Sequence, residues 1–204
     1  MRGRFITVEG IEGVGKSTIV PFVQQKLEAE GRIVHVTREP GGTKLAEAVR
    51  DLLLSDWAET ILPQTELLLM FASRAQHVST VIEPTLQAGT DVVCERFTDA
   101  SMAYQGGGRG IEDSFIESLA QLTHGETSPD LTLYLDLDVE ESSFRTQNRR
   151  KDRIEQEDLD FFQRVRNAYR KLASKHQRIV TIDASRSLQE VESSVATALA
   201  GLNK

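Results

Sequence analysis

The sequence predicts a three-layer α/β domain, a five-stranded parallel sheet flanked by helices. Two observations carry that reading. Five short aliphatic or β-branched runs alternate with longer stretches of helical periodicity, the pattern of a parallel sheet wrapped on both faces. A glycine-rich loop also stands where the first run gives way to the first helical stretch. The 204 residues suit one domain, so 1–204 is expected to fold as a single unit.

The runs cover 5–8 (FITV), 33–36 (IVHV), 91–94 (DVVC), 131–135 (LTLYL) and 179–182 (IVTI). Short continuous apolar runs suit strands buried on both faces. Between them, Ile19, Phe22, Val23 and Leu27 recur at helical spacing, as do Leu45, Val49, Leu52 and Leu53. A longer stripe of Leu67, Leu68, Phe71, Ala75 and Val78 begins after Pro63. Phe115, Leu119 and Leu122 follow, then Phe161, Phe162, Val165, Tyr169 and Leu172, and last Leu188, Val191, Val195 and Leu199. Pro21 falls early in the first helix, where its ring would press on the Ser17 carbonyl, so a bend or loosened turn is expected there.

Composition excludes several classes. Lys plus Arg is 24 and Asp plus Glu is 31, a formal charge of −7, which argues against a protein that coats a nucleic acid polymer or a membrane surface through bulk charge. Cys94 is the single cysteine, too few for an internal disulfide or a thiolate zinc cluster. No stretch approaches the ~18 apolar residues of a membrane helix. The first apolar run stops at Glu9, too short for a signal-peptide core. A reducing, cytoplasmic setting is the expectation.

The strongest motif is Gly10-Ile11-Glu12-Gly13-Val14-Gly15-Lys16-Ser17, with Thr18 following. It matches G-x-x-x-x-G-K-[ST] between a predicted strand and a predicted helix. Glycines let successive N–H groups turn inward on an anion, and the helix N-terminus adds partial positive charge. Lys16 then reaches the β- and γ-phosphates, and the Ser17 hydroxyl can ligate Mg²⁺, a hard cation that prefers oxygen. By composition the four fixed positions match by chance at roughly 1 in 30,000 sites, so a Gly-rich turn that binds nothing is the weaker reading.

Other segments admit two readings each. Arg38, in T-R-E-P-G-G-T after the second run, either grips a second phosphate or is a surface residue before the turn at Pro40. Glu95 and Arg96 close the third run, either as Mg²⁺ ligand and charge stabiliser or as a strand-end ion pair. Phe71 and Arg74 share a helix face and either recognise a base or belong to the core. The glycines of Y-Q-G-G-G-R-G form a binding loop or a flexible connector. Arg145, Arg149, Arg150, Lys151 and Arg153 form a basic island, either a lid over phosphates (about 142–156) or a solvated face.

In that order these motifs, together with Pro129-Asp130-Leu131 and Asp152-Arg153-Ile154-Glu155, resemble the bacterial thymidylate kinase family, nucleoside monophosphate kinases of the P-loop NTPase fold. The resemblance implies transfer of the ATP γ-phosphate to dTMP, giving dTDP and ADP, with Mg²⁺ and a homodimer. It implies that Phe71 stacks on thymine, Arg74 bonds the base, and Arg38 and Arg96 hold the dTMP phosphate. Tyr104 would lie under the deoxyribose, with Ser101, Gln105 and Pro40 completing the acceptor site and Glu12 orienting it. No Arg stands among Ile11–Val14. Family members of that kind resemble a type that draws the catalytic charge from the lid, here from Arg149, Arg150 or Arg153, with Arg153 the leading candidate. Glu95 replaces a commoner Asp. Two rivals are a kinase for another monophosphate and a phosphate-loop switch; the absence of an N-K-x-D stretch weakens a GTPase.

Overall fold

The computed structural model describes residues 2–148 and 151–202. Strands β1 (Phe5–Glu9), β2 (Val34–Arg38), β3 (Asp91–Glu95), β4 (Leu131–Asp136) and β5 (Ile179–Asp183) form one sheet in the order β2-β3-β1-β4-β5. All pairings are parallel. β1 is central, with Thr7 opposite Cys94 on one side and Thr132 on the other. The chain leaves β1 toward β2 and later crosses to β4, so the loop after β1 sits at the switch point where parallel sheets bind ligands.

Burial on both faces holds for β1, β3 and β4 and fails for β2 and β5. The latter two are edge strands, covered on fewer sides, and Ile33 lies outside β2 with 74% of its surface exposed.

Helix α1 (Lys16–Ala29) runs continuously through Pro21, where the sequence predicted a bend or loosened turn. Pro21 is exposed, and the carbonyl its missing N–H would have served belongs to exposed Ser17. Helix α2 (Lys44–Leu54) starts at Thr43, whose hydroxyl accepts from Ala46 N. Helix α3 (Pro63–His77) starts with Pro in its first turn and continues through a wider π-helical turn, Val78–Ile82, into α4 (Glu83–Gln87). Helix α5 (Thr98–Ser101) likewise runs into a π-helical turn, Met102–Gly108. Then come α6 (Asp113–Thr123), α7 (Val139–Thr146), α8 (Leu159–Lys175) and α9 (Leu188–Gly201). Asp138 caps α7, Asp158 caps α8, and Ser187 with Glu190 forms a capping box on α9.

The stripes of α1, α8 and α9 face the core through Val23, Val165 and Val195. Those of α2 and α6 do so only in part. Ala46, Leu53 and Ile116 point inward, while Leu45, Leu52, Phe115 and Leu122 point outward, as does Leu68 on α3. These helices carry apolar residues on more than one face, so spacing alone selects no single buried side.

The Gly106–Gly108 run is close-packed and not a flexible connector. A Cβ on Gly107 would meet Ala168 Cβ at 2.5 Å, and one on Gly108 would meet Phe161 Cε2 at 2.5 Å. Glycine lets the π-helical turn lie directly on α8.

A buried polar layer ties the sheet to the surrounding helices. Arg178 donates to Asp99, and Thr132 bridges Asp99 to Thr7. At the end of β1, Glu9 is fully buried and accepts from Phe97 N and Tyr169 Oη, each at 2.7 Å. Burial, with Asp99 nearby, pushes its carboxyl up to about 7 despite Arg96. A raised carboxyl pKa penalises the folded state when the group is ionised. The stability of wild type relative to Glu9→Gln should therefore be greatest below about pH 4.5 and decline as pH rises through about 7. Urea unfolding of both proteins across this range measures it, and a flat difference would refute it.

Candidate active site

The loop between β1 and α1 is shaped by its glycines. Gly10 and Gly15 have φ of 135° and 99°, a region that disfavours side chains. A Cβ on Gly10 would strike Leu135 O at 2.5 Å. No side chain caps α1, whose N-cap is left-handed Gly15, so its first amides remain available to an anion. Ile11 and Val14 are buried in the core and anchor the loop from behind.

This loop opens on a cavity of about 490 Å³ lined by Glu12, Gly13, Gly15, Lys16 and Ser17. Lys16 is 6% exposed and donates to Gly10 O and Ile11 O at 3.1 and 2.8 Å. Its Nζ lies 3.9 Å from Glu95 Oε1. Burial and Arg96 push its pKa down to about 8, against the pull of Glu12 and Glu95.

The far wall brings together Arg38, Pro40, Arg74, Arg96, Ser101, Tyr104 and Gln105, all expected acceptor-site residues. Arg96 follows β3 with φ 68°, a left-handed conformation rare outside glycine. It donates to Glu12 and to Tyr104 Oη, and Tyr104 in turn donates to Glu12 Oε2 at 2.7 Å. Burial alone would raise the Glu12 carboxyl; Arg96, Lys16 and Tyr104 hold it below its usual range. Arg74 is 2% exposed and donates to Glu39 Oε2, Ser101 Oγ and Phe97 O. Glu39 also meets His77 Nδ1 at 3.0 Å. Arg38 reaches outward to Glu47 at 2.8 Å.

Other expected residues lie elsewhere. Phe71 is buried against Leu67 and Ile116, off the cavity wall, with the Arg74 guanidinium 4.6 Å from its ring centre. Thr18 is exposed and also off the wall. Arg153, expected to bring charge to the phosphates, turns away: it donates to Glu66 Oε2 at 2.7 Å and to Leu53 O at 3.0 Å. A buried carboxylate requires a cationic partner, and Arg153 supplies one. Residues 142–146 belong to α7, and Ser142 donates to Glu12 O. Arg149 and Arg150 lie outside the described residues.

Sequence reasoning missed Arg50, which lines the cavity and donates to Pro40 O at 3.0 Å. Helical phase could have found it, since Arg50 lies four residues after Ala46 and three before Leu53, on the buried face of α2. Arg145, noted only within the basic island, also lines the cavity. So do Asp152 and Glu155.

A family model described as thymidylate kinase matches residues 8–195. A thymidylate kinase of Nitrosospira multiformis is 49% identical over 202 residues, covering 98% of each chain. One of Nitrosomonas europaea is 52% identical over 197 residues, covering 96% of this chain and 91% of the relative. The crystal structure of a thymidylate kinase from Ehrlichia chaffeensis superposes with a TM-score of 0.75 at 32% identity, covering 98% of this chain and 99% of that one. Likeness in sequence and in fold thus runs through the phosphate loop, the arginine-lined wall and the sheet that joins them, and the chain belongs to the thymidylate kinase family.

Proposed function

We propose that this chain transfers the γ-phosphoryl group of ATP to the 5′-phosphate of dTMP, giving dTDP and ADP. One observation carries the reading. The phosphate loop opens on the same cavity as Arg38, Arg50, Arg74 and Arg96. Simple hydrolysis needs no such second anion site, whereas a kinase with a phosphorylated acceptor does.

The triphosphate lies on the amides of Gly13, Gly15, Lys16 and Ser17. Arg38 and Arg96, joined by Arg50, hold the acceptor phosphate. Arg74, Ser101 and Gln105 face the base, Phe71 backs Arg74, and Tyr104 lies under the sugar. An oxygen of the dTMP phosphate attacks Pγ in line, the β–γ bridging oxygen leaves with ADP, and no strong base is needed. Lys16 and Arg96 stabilise the charge spread over the moving group, and Arg145 adds positive charge in the role expected of Arg153.

The donor set fits Mg²⁺. Among the described residues no cluster of three or more His, Cys, Asp or Glu could cage a metal. The Ser17 hydroxyl and Glu95 carboxylate line the cavity, and Mg²⁺ commonly takes one or two carboxylates plus substrate phosphates. Held there, Mg²⁺ would neutralise phosphate charge. Outward-facing Leu45, Leu52, Leu68, Phe115 and Leu122 suit a homodimer built on α2, α3 and α6. No described helix is long and apolar enough to cross a membrane, and the lone, buried Cys94 suits a reducing cytoplasm.

With ATP and Mg²⁺, dTMP should give a higher kcat/KM than UMP, AMP or GMP; ATP hydrolysis with no phosphorylated acceptor would overturn the reading. Lys16→Ala should lower kcat by about a thousandfold with unfolding unchanged, and a coupled ADP assay showing near-normal turnover would contradict its role. Arg50→Ala should raise KM for dTMP about tenfold while leaving KM for ATP near its original value, and equal effects on both would rule out an acceptor-side role.

A further inference from the structure

Glu66 stands in the first turns of α3, 1% exposed and outside the cavity wall. Its carboxylate takes four donors. Gln105 Nε2 and Arg109 Nε reach Oε1 at 2.9 and 3.2 Å, and Arg109 Nη2 and Arg153 Nη2 reach Oε2 at 3.1 and 2.7 Å. Burial alone would raise its pKa, yet Arg109, Gln105 and Arg153 hold it below the usual carboxylate range. Glu66 is therefore ionised at neutral pH and can only accept hydrogen bonds.

That restriction matters for Gln105. A side-chain amide has two ends of similar shape and opposite polarity. An acceptor-only neighbour at 2.9 Å requires the nitrogen to face Glu66. The carbonyl oxygen is then the acceptor that Gln105 offers to the cavity it lines. Arg109 is itself braced by Glu157 and by the Phe161 ring, 4.6 Å away. The carboxylate is thus anchored across both oxygens by a cation that is itself held in place.

We propose that Glu66 is a specificity-positioning residue: by holding the amide nitrogen of Gln105, it presents the Gln105 oxygen to the acceptor base and selects a base whose ring nitrogen carries hydrogen over one whose ring nitrogen accepts. The inference rests on the acceptor site proposed above. Thymine offers N3–H, whereas N3 of cytosine is an acceptor and would face the Gln105 oxygen unpaired. Discrimination of this kind is large, because the wrong ligand leaves a desolvated polar group without a partner.

The test compares kcat/KM for dTMP and dCMP at saturating ATP and Mg²⁺. In Glu66→Gln the neighbour both donates and accepts, so the Gln105 amide is free to reverse. The dTMP-to-dCMP preference should fall about tenfold or more. Arg153→Met removes one cation from Glu66 without touching Gln105, and should keep a preference close to wild type. An unchanged preference in Glu66→Gln overturns the proposal. So does an equal loss in Arg153→Met, which would report general loosening of the pocket. Should circular dichroism show that Glu66→Gln does not fold, Glu66→Asp takes its place, because its shorter carboxylate also releases the Gln105 nitrogen and predicts the same loss. A wild-type protein that phosphorylates neither monophosphate overturns the acceptor-site reading itself, and this proposal with it.

Discussion

Positive charge concentrated around one cavity is the constraint to which the rest of the structure answers. Lys16, Arg38, Arg50, Arg74 and Arg96 all line it, in a chain whose net charge is −7. A cation removed from water without a partner costs several kcal/mol. The buried ones are therefore matched, and exposed Arg38 is paired as well. Arg96 has Glu12, Arg74 has Glu39, Arg38 has Glu47, and Arg50 has the Pro40 carbonyl. Lys16 rests on loop carbonyls with Glu95 nearby. On the proposed function, phosphate oxygens offer Lys16, Arg38, Arg50 and Arg96 equivalent partners, so the pairing that stabilises the protein would also prepare it for its ligands.

Sheet order brings these pairs within reach. Neighbouring β1 and β3 end beside each other, with Val8 opposite Glu95, so the phosphate loop and the Glu95-Arg96 turn share one edge. Arg96 takes a left-handed backbone there, held by its N–H to Val8 O and by its guanidinium to Glu12 and Tyr104. Strain of about 1–3 kcal/mol persists only where the surroundings determine it fully. Buried Glu9 supplies part of that determination by accepting from Phe97 N, the next amide along. A polar layer beneath the site thus holds its most constrained residue.

The arginine-lined wall of the cavity depends on π-helical packing in the same way. The Met102–Gly108 turn lies directly on α8 because glycine leaves room for Ala168 and Phe161. That closeness sets Tyr104 and Gln105 against the cavity while Arg109 reaches back to Glu66. π-Helical insertions often mark functional sites, and here the wider turn places neighbouring residues in different roles.

How much was legible in the residues depends on how local each cause is. The phosphate loop was readable because backbone conformation, glycine content and the Lys16-Ser17 pair act within one turn of chain. The alternation of runs and stripes was enough for a parallel sheet, since burial on both faces leaves a continuous apolar signature in β1, β3 and β4. Edge exposure of β2, the outward faces of α2 and α6, and the partners of single arginines were not readable. Arg153 finds Glu66 across 87 positions, and only folding sets which buried carboxylate a given cation must satisfy. Local sequence thus determined where an anion could be gripped; tertiary structure decided which charges face it and which are spent holding the walls, because pairing of buried charges is settled by distance in space.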